Sequence, residues 1–480
     1  MLTSRYVRWG LLAAILAWAA GFAGLSLYAR QSQLPRGLSI AGWEVGGTPA
    51  AELETALARR LERLGEVPVR LADPGGHAPQ AALTLRQLGL RVDPAKLAAE
   101  WAGLREGPAL HRARQRWRLR GADLPLPYAF DPAALEAALQ RTWPALYAQQ
   151  PVNARREITP DDQVRLVDGR SAYRVDTAEL TKRLAALVPA AAWNGGEPAA
   201  SVSVELPMKT LAPEVTLQTL EAQGIVRKLA EFTTAFPGNS SGRTHNIQAT
   251  AQTVNDRMVK PGDLFDYSQI IGETEKTYGY QDAPVIVNGK LVPGIGGGIC
   301  QVSSTLYNAI LRAGLEVVER RNHSLPVSYV PLGLDATFAS GHINFRFRNN
   351  TSSYLLIRTE TDNNRLTVKL FGNAPANVTY DVESRVVQTL PPPDKYVRNP
   401  KLKAGARQVL QKGKPGYVVE TYRTKKVDGK PVETVRISRD TYSAQPNLIA
   451  TNTGESGGTG PSSPPPAPIV EDGIKGPVFP

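Results

Sequence analysis

The longest apolar run of the chain is residues 10–29, GLLAAILAWAAGFAGLSLYA, twenty positions without a charge. As a helix rising about 1.5 Å per residue it spans roughly 30 Å, the hydrocarbon thickness of a bilayer. A buried core helix would show a polar face, and this run has none. Arg5 and Arg8 precede it, so the positive-inside rule keeps the N-terminus in the cytoplasm and sends the bulk across the membrane. The competing reading is a cleaved signal peptide, whose apolar stretch is usually about 7–15 residues. Residues 1–30 thus read as a cytoplasmic stub and one transmembrane anchor.

Helical spacing returns at Leu53, Leu57, Leu61 and Leu64, just after Thr48-Pro49. A second start, Asp131-Pro132, lies 83 residues further on; Pro68-Val69 recurs as Pro151-Val152, and Asp93-Pro94 as Asp176-Thr177, at the same spacing. Three landmarks at one interval predict a duplicated α+β module, residues 38–122 and 123–206. The Thr or Asp at each start can cap its helix, and proline at the first helical position gives up no needed donor. Glu179, three after Asp176, extends this to a capping box.

Arginine occupies positions 112, 114, 116, 118 and 120, a period of two. On a strand, five guanidinium groups would share one face, opposite Trp117 and Leu119. Such a strip suits phosphate or carboxylate groups, with Arg114 and Arg116 at its centre, and equally suits a solvated face paired with acidic neighbours.

Residues 207–376 form a separate unit. Ile343, Phe345 and Phe347 share a strand face, Asn349-Asn350 marks a turn, and Tyr354–Ile357 is expected to return as a hairpin. Residues 377–450 alternate valine with polar positions and read as a small all-β module. Residues 451–480 are too poor in large apolar groups to bury a core and read as a disordered tail. The fold class is multidomain α+β: an anchor helix, two repeated modules, a mixed α+β domain and a β module.

A net charge of +12 would point to nucleic acid in the cytosol. Across a membrane it points to anionic wall polymers or lipid headgroups instead. Cys300 is the sole cysteine, so no intramolecular disulfide holds the fold. The five histidines and one cysteine show no metal-ligand spacing, and no phosphate loop or dinucleotide fingerprint is present. No metal, cofactor or nucleic acid is expected.

The segment richest in chemistry is Gly294 to Asn308, GIGGGICQVSSTLYN. Asn288-Gly289 upstream signals a hairpin. The glycines then permit a tight turn and close approach to the backbone. Val302, Leu306, Ala309, Ile310 and Ala313 follow helical spacing, which puts Cys300 at a helix N-terminus, where the helix dipole favours a thiolate. Downstream stand His323 and Asp335. The order Cys, His, Asp is that of transglutaminase-like and papain-like thiol folds. Cys300 would attack a carbonyl, His323 would shuttle the proton, Asp335 would orient the imidazole, and N–H groups after the glycines would form an oxyanion hole. A cysteine after a glycine turn is also often a small buried residue, and Asp335 equally suits a turn cap. His342 competes with His323 as the base. Arg243 and His245 in GRTHN fit either a substrate contact or a turn.

GRTHNIQ, PGDLFDYSQIIGET and the run from GYQDAPVIVNGK through GICQVSSTLYN to PLGLDATF closely resemble the VanW family of bacterial envelope proteins, over about Leu220 to Ile357. The duplicated modules resemble the peptidoglycan-binding domains that often precede VanW domains. Residues 380–447 look like a G-five domain, with Gly405, Gln411, Gly413, Gly416, Tyr422 and Gly429 in its pattern. Two departures from the family stand out: Phe265-Asp266-Tyr267-Ser268 where Phe-Ser-Phe/Tyr-Asn is usual, and Asn344 where an aspartate is common. The family's name comes from vancomycin-resistance clusters, and its members have no settled activity. The resemblance implies an envelope protein that binds peptidoglycan or related wall polymers and serves wall maintenance or antibiotic tolerance. The alternative is a thiol-dependent amide hydrolase or transpeptidase. The candidate catalytic residues are Cys300, His323 and Asp335. Candidate substrate contacts are Gly297, Gly298, Gln301, Ser303, Ser304, Arg243 and Tyr280, with Arg114 and Arg116 on the strip.

Overall fold

The computed structural model describes residues 3–192, 201–238, 240–287, 289–452 and 469–476. They fall into two compact units, Met1–Asn153 with Gly169–Glu214, and Ala154–Asp168 with Val215–Pro480.

The first unit opens with helix Thr3–Ala29. Its segment Val7–Ala29 is long and apolar enough to cross a membrane and is exposed over most of its length, with Ala29 at its end buried. The rest builds one hydrophobic core that runs from Leu34 to Leu206. Helix Ala50–Gly65 buries Leu53, Leu57 and Leu64 as their spacing requires. Asp93 and Asp131 cap helices Pro94–Ala102 and Pro132–Thr142 by accepting from backbone N–H groups, and Asp176 accepts from Glu179 N. Thr48 makes no such cap, because the cap position falls on Pro49. The two 83-residue stretches interlock rather than keep separate cores. Strand Val202–Glu205 of the second lies parallel to Pro68–Ala72 of the first, and Tyr128–Phe130 pairs with Leu90–Val92.

The arginine strip is not a strand. Residues Ala109–Leu119 form a helix that buries Ala113, Arg116 and Leu119. At 3.6 residues per turn, alternate positions lie about 200° apart, so the arginines scatter around the axis. Arg116 points inward, donating at 2.7 Å to Gln31 O and also to Gln33 O. Arg114 points to solvent. A period of two is a strand signal only when the alternate positions are apolar, and here Trp117 is 70% exposed.

In the second unit, a four-stranded antiparallel sheet runs in the order Arg227–Ala235, Arg365–Gly372, Leu355–Asp362, Arg257–Val259. Helix Ile299–Arg312 packs on it and is buried from Ile299 to Leu311. The expected hairpin after Phe347 is displaced by one strand. Arg346–Arg348 pairs with Leu264–Asp266 and Glu316–Glu319, whereas Leu355–Asp362 pairs across Asn363-Asn364 with Arg365–Gly372. Both asparagines have positive φ, 48° and 59°, which asparagine tolerates and such a tight turn requires. Strands Val285–Val287 and Lys290–Val292 do form a hairpin; Asn288 of its turn lies outside the described residues.

Residues 378–451 make two three-stranded sheets, the larger from Val378–Leu390, Gly416–Val427 and Lys430–Tyr442. The tail departs from the expectation of disorder. Residues 453–468 and 477–480 lie outside the described residues, but Val470–Glu471 forms a strand on Val285–Val287. Ile469, Val470 and Ile474 are large apolar positions in a Pro- and Gly-rich segment, and Ile474 packs on the main core of this unit.

Candidate functional site

The site is built around the start of helix Ile299–Arg312. Gly298 enters it at φ 109°, a conformation that L side chains rarely adopt. The glycines before it are crowded: a Cβ on Gly297 would meet Pro284 O at 2.2 Å, and one on Gly294 would meet Lys475 O at 2.6 Å. Part of what approaches this backbone is the chain's own tail.

Cys300 stands on the first turn of the helix and is wholly buried. Its Sγ accepts from Phe338 N at 3.0 Å and faces Phe338 O at 3.5 Å. Its backbone N–H donates to Asp472 Oδ1 at 2.8 Å, and Gly298 N–H donates to the same oxygen at 3.1 Å. The helix dipole was expected to lower the thiol pKa. Instead burial pushes it well up, and the Asp472 carboxylate adds to the rise. The N–H groups that would favour a thiolate already hold a carboxylate.

His323 and Asp335 are brought together. Asp335 Oδ2 accepts from His323 N and faces His323 Nδ1, each at 2.7 Å. Its other oxygen accepts from Tyr442 OH, and from Arg320 Nη2 at 3.3 Å. Both residues are fully buried. Burial works to raise the Asp335 pKa, but the hydrogen bond and charge of His323, with Arg320, hold it at about 2. Burial works to lower the His323 pKa, and Asp335 outweighs it; Asp472 and Glu471 add to the rise. His323 Nε2 is buried without a hydrogen-bond partner. No hydrogen bond joins it to Cys300, whose Sγ bonds run to Phe338.

The other sequence candidates divide. Arg243 joins the site, with Nη1 3.1 Å from Asp472 Oδ2 and Nη2 3.1 Å from Gln301 Oε1. Gln301 donates inward to Thr234 and Ala235. Ser303 donates to Ala336 O at 2.6 Å, and Ser304 Oγ accepts from Ala336 N at 2.9 Å. These buried side chains therefore clamp the segment carrying Asp335 and Phe338. Tyr280 bonds Thr250 at 3.2 Å, and His245 Nε2 bonds Gly279 O at 3.1 Å. His342 is exposed. Arg114 and Arg116 belong to the other unit. Among the described residues no group of three or more His, Cys, Asp or Glu could hold a metal ion.

Asp472, Glu471, Tyr442 and Arg320 were not singled out from sequence. The one available signal was the set of apolar residues, Ile469, Val470 and Ile474, flanking Glu471-Asp472 in the tail. The two departures from the family pattern meet: Asn344 Nδ2 donates to Asp266 Oδ1 at 2.7 Å, and Ser268 N donates to Asn344 Oδ1 at 3.1 Å. An aspartate at 344 would set two carboxylates against each other, so the amide suits Asp266.

The model of the VanW like protein family matches residues 242–371, and that of the G5 domain matches residues 381–453. YoaR, an uncharacterized protein of Bacillus subtilis, is 34% identical over 229 residues, covering 48% of this chain and 71% of that protein. The vancomycin B-type resistance protein VanW of Enterococcus faecalis is 28% identical over 151 residues, covering 30% of this chain and 55% of that protein. The match thus spans about half the length of the enterococcal relative. A solved G5 domain of IgA1 protease is 26% identical, covering 16% of this chain and 89% of its own, with a TM-score of 0.14. The chain belongs to the VanW family and carries a C-terminal G5 domain.

Proposed function

We propose that this is an envelope protein, tethered by one membrane helix with its N-terminus inside, that binds peptidoglycan or related wall polymers. Its role would be wall maintenance or antibiotic tolerance. The observation that carries the reading is an exposed apolar span, Val7–Ala29, in a chain whose matched parts are VanW and G5 domains, a pairing that suggests association with the cell wall. The enterococcal relative is named a vancomycin resistance protein, which supports the antibiotic-tolerance part of the reading.

The helix Ala109–Leu119 supports the tether. Leu110, Ala113, Arg114 and Trp117 line an apolar groove with Gly21, Gly24, Leu25 and Tyr28 of the span. A bilayer around the span places Trp117 and Arg114 at its surface, where tryptophan is favoured and arginine meets lipid phosphates. The strip thus serves the membrane better than the wall.

Co-sedimentation of the full-length protein in detergent with purified sacculi tests the binding. Retention that weakens as salt rises is expected for a basic chain on an anionic polymer. No retention even at low salt overturns it.

A second reading, a thiol amide hydrolase or transpeptidase, is favoured by one observation: the assembled His323–Asp335 pair with Nε2 unpartnered. It needs the Cys300 thiol to open towards that nitrogen. Rapid alkylation of Cys300 near pH 7, and loss of a muropeptide change in Cys300→Ala, would support it. An inert thiol in protein that still binds sacculi would end it.

A further inference from the structure

The segment 469–476 enters the VanW domain as an added strand. Val470 and Glu471 pair with Val287 and Ile286, Ile474 N donates to Ile295 O at 2.9 Å, and Ile295 N donates to Lys475 O at 2.9 Å. Gly473 bridges to Ala339 on the other side, and a Cβ there would meet Val285 at 2.3 Å. This is peptide binding by strand addition, with the backbone held on both edges.

Two carboxylates make the fit specific. Glu471 Oε2 accepts from Ser324 N at 2.9 Å and Ser324 Oγ at 3.0 Å, next to His323. Asp472 adopts φ 57°, which turns its carboxylate onto the N–H groups of Gly298 and Cys300 and onto Arg243. Backbone donors at a helix start, together with a half-buried arginine, are the chemistry of carboxylate capture. An independent observation lies beside them: the buried, unpartnered Nε2 of His323, within the field of both carboxylates.

We propose that this groove is a binding site for an extended peptide presenting a carboxylate, and that residues 469–476 are its tethered occupant. The ligand class is the carboxylate-bearing stem peptide of peptidoglycan; naming that source rests on the proposed function. The tail competes with the ligand for the same donors, and its departure uncovers Cys300.

The test uses the full-length protein in detergent, with a specific protease site placed between Pro461 and Pro464. After cutting and gel filtration, a labelled peptide of residues 469–476 is titrated back, and Cys300 is timed against a maleimide. Saturable rebinding is expected, with the Asp472→Asn peptide weaker by about tenfold or more, the loss expected for charge-assisted hydrogen bonds. A synthetic stem peptide with free carboxylates is expected to displace the label. Equal affinity of the Asn peptide, or a stem peptide that displaces nothing, overturns the proposal. If the cut chain keeps its segment or loses its fold, uncut Asp472→Asn decides: maleimide reaction accelerated about tenfold or more supports the proposal, and an unchanged rate overturns it. Rebinding of the chain's own peptide involves no wall polymer, so its failure leaves sacculus binding standing, and the converse also holds.

Discussion

The hydroxyl of Tyr442, on the last long strand of the G5 domain, donates to the carboxylate of Asp335 in the VanW domain. The same oxygen accepts from Gly333 N–H at 2.7 Å. One buried carboxylate therefore serves both domains, because Asp335 also holds His323. Nearby, Arg320 Nη1 reaches both oxygens of Asp440 at 2.6 Å.

Tyr442→Phe removes a donor to a buried charge and orphans the Gly333 N–H. A loss of about 1.5–3 kcal/mol is expected, read as a lower urea midpoint for the second unit. A change within about 0.5 kcal/mol would match a surface substitution and count against the shared carboxylate.

The His323–Asp335 pair predicts a pH profile. The folded His323 pKa is raised above 6.5, so its protonation contributes fully below that pH and is lost as pH rises through the folded value. Asp335 runs the other way. Its folded value of about 2 lies below 3.8, so its contribution stands above that pH and is lost as pH falls towards 2. Thermal melts of the wild type and His323→Gln between about pH 5 and 9 should converge as pH rises. Divergence would contradict a charged pair.

Cys300→Ala leaves the buried N–H of Phe338 without its acceptor, at a cost of about 1–3 kcal/mol. Cys300→Ser keeps an acceptor in place and should be the milder change. Denaturation midpoints in the opposite order would show that the Phe338 contact does not hold this turn together.

Arg116 and Arg114 should separate sharply. Arg116→Ala opens a cavity and frees Gln31 O and Gln33 O, a loss of about 2–4 kcal/mol in the first unit. Arg114→Ala should stay within about 0.5 kcal/mol yet weaken binding to vesicles containing anionic lipid. Equal effects on stability would refute the inward and outward placement.

What could be read from sequence was what local rules govern. The apolar span, the caps at Asp93 and Asp131, the hairpin after Val287 and the helix start at Cys300 depend on residues within a few positions of each other. The failures were of a different kind. Arginine repeats with a period of two without regard to the backbone beneath it, so its spacing misled where Ala113, Arg116 and Leu119 marked a helix face. The strand after Phe347 was placed one pairing early because partner choice is a long-range matter. His323 and Asp335 were legible as a pair by residue type. Asp472 was not, because it reaches Cys300 across 172 positions.

The glycines before Cys300 have a wider consequence. A methyl group on Gly297 would strike Pro284 O at 2.2 Å, and one on Gly242 would strike Asp282 O at 2.1 Å. Both collisions are with main chain, which cannot swing aside as a side chain can. The motif that marks the VanW family is therefore, in this chain, the imprint of two backbones crossing at contact distance. In this chain the run therefore reports a crossing of main chains, while the chemistry has to be sought in the residues that line the groove alongside.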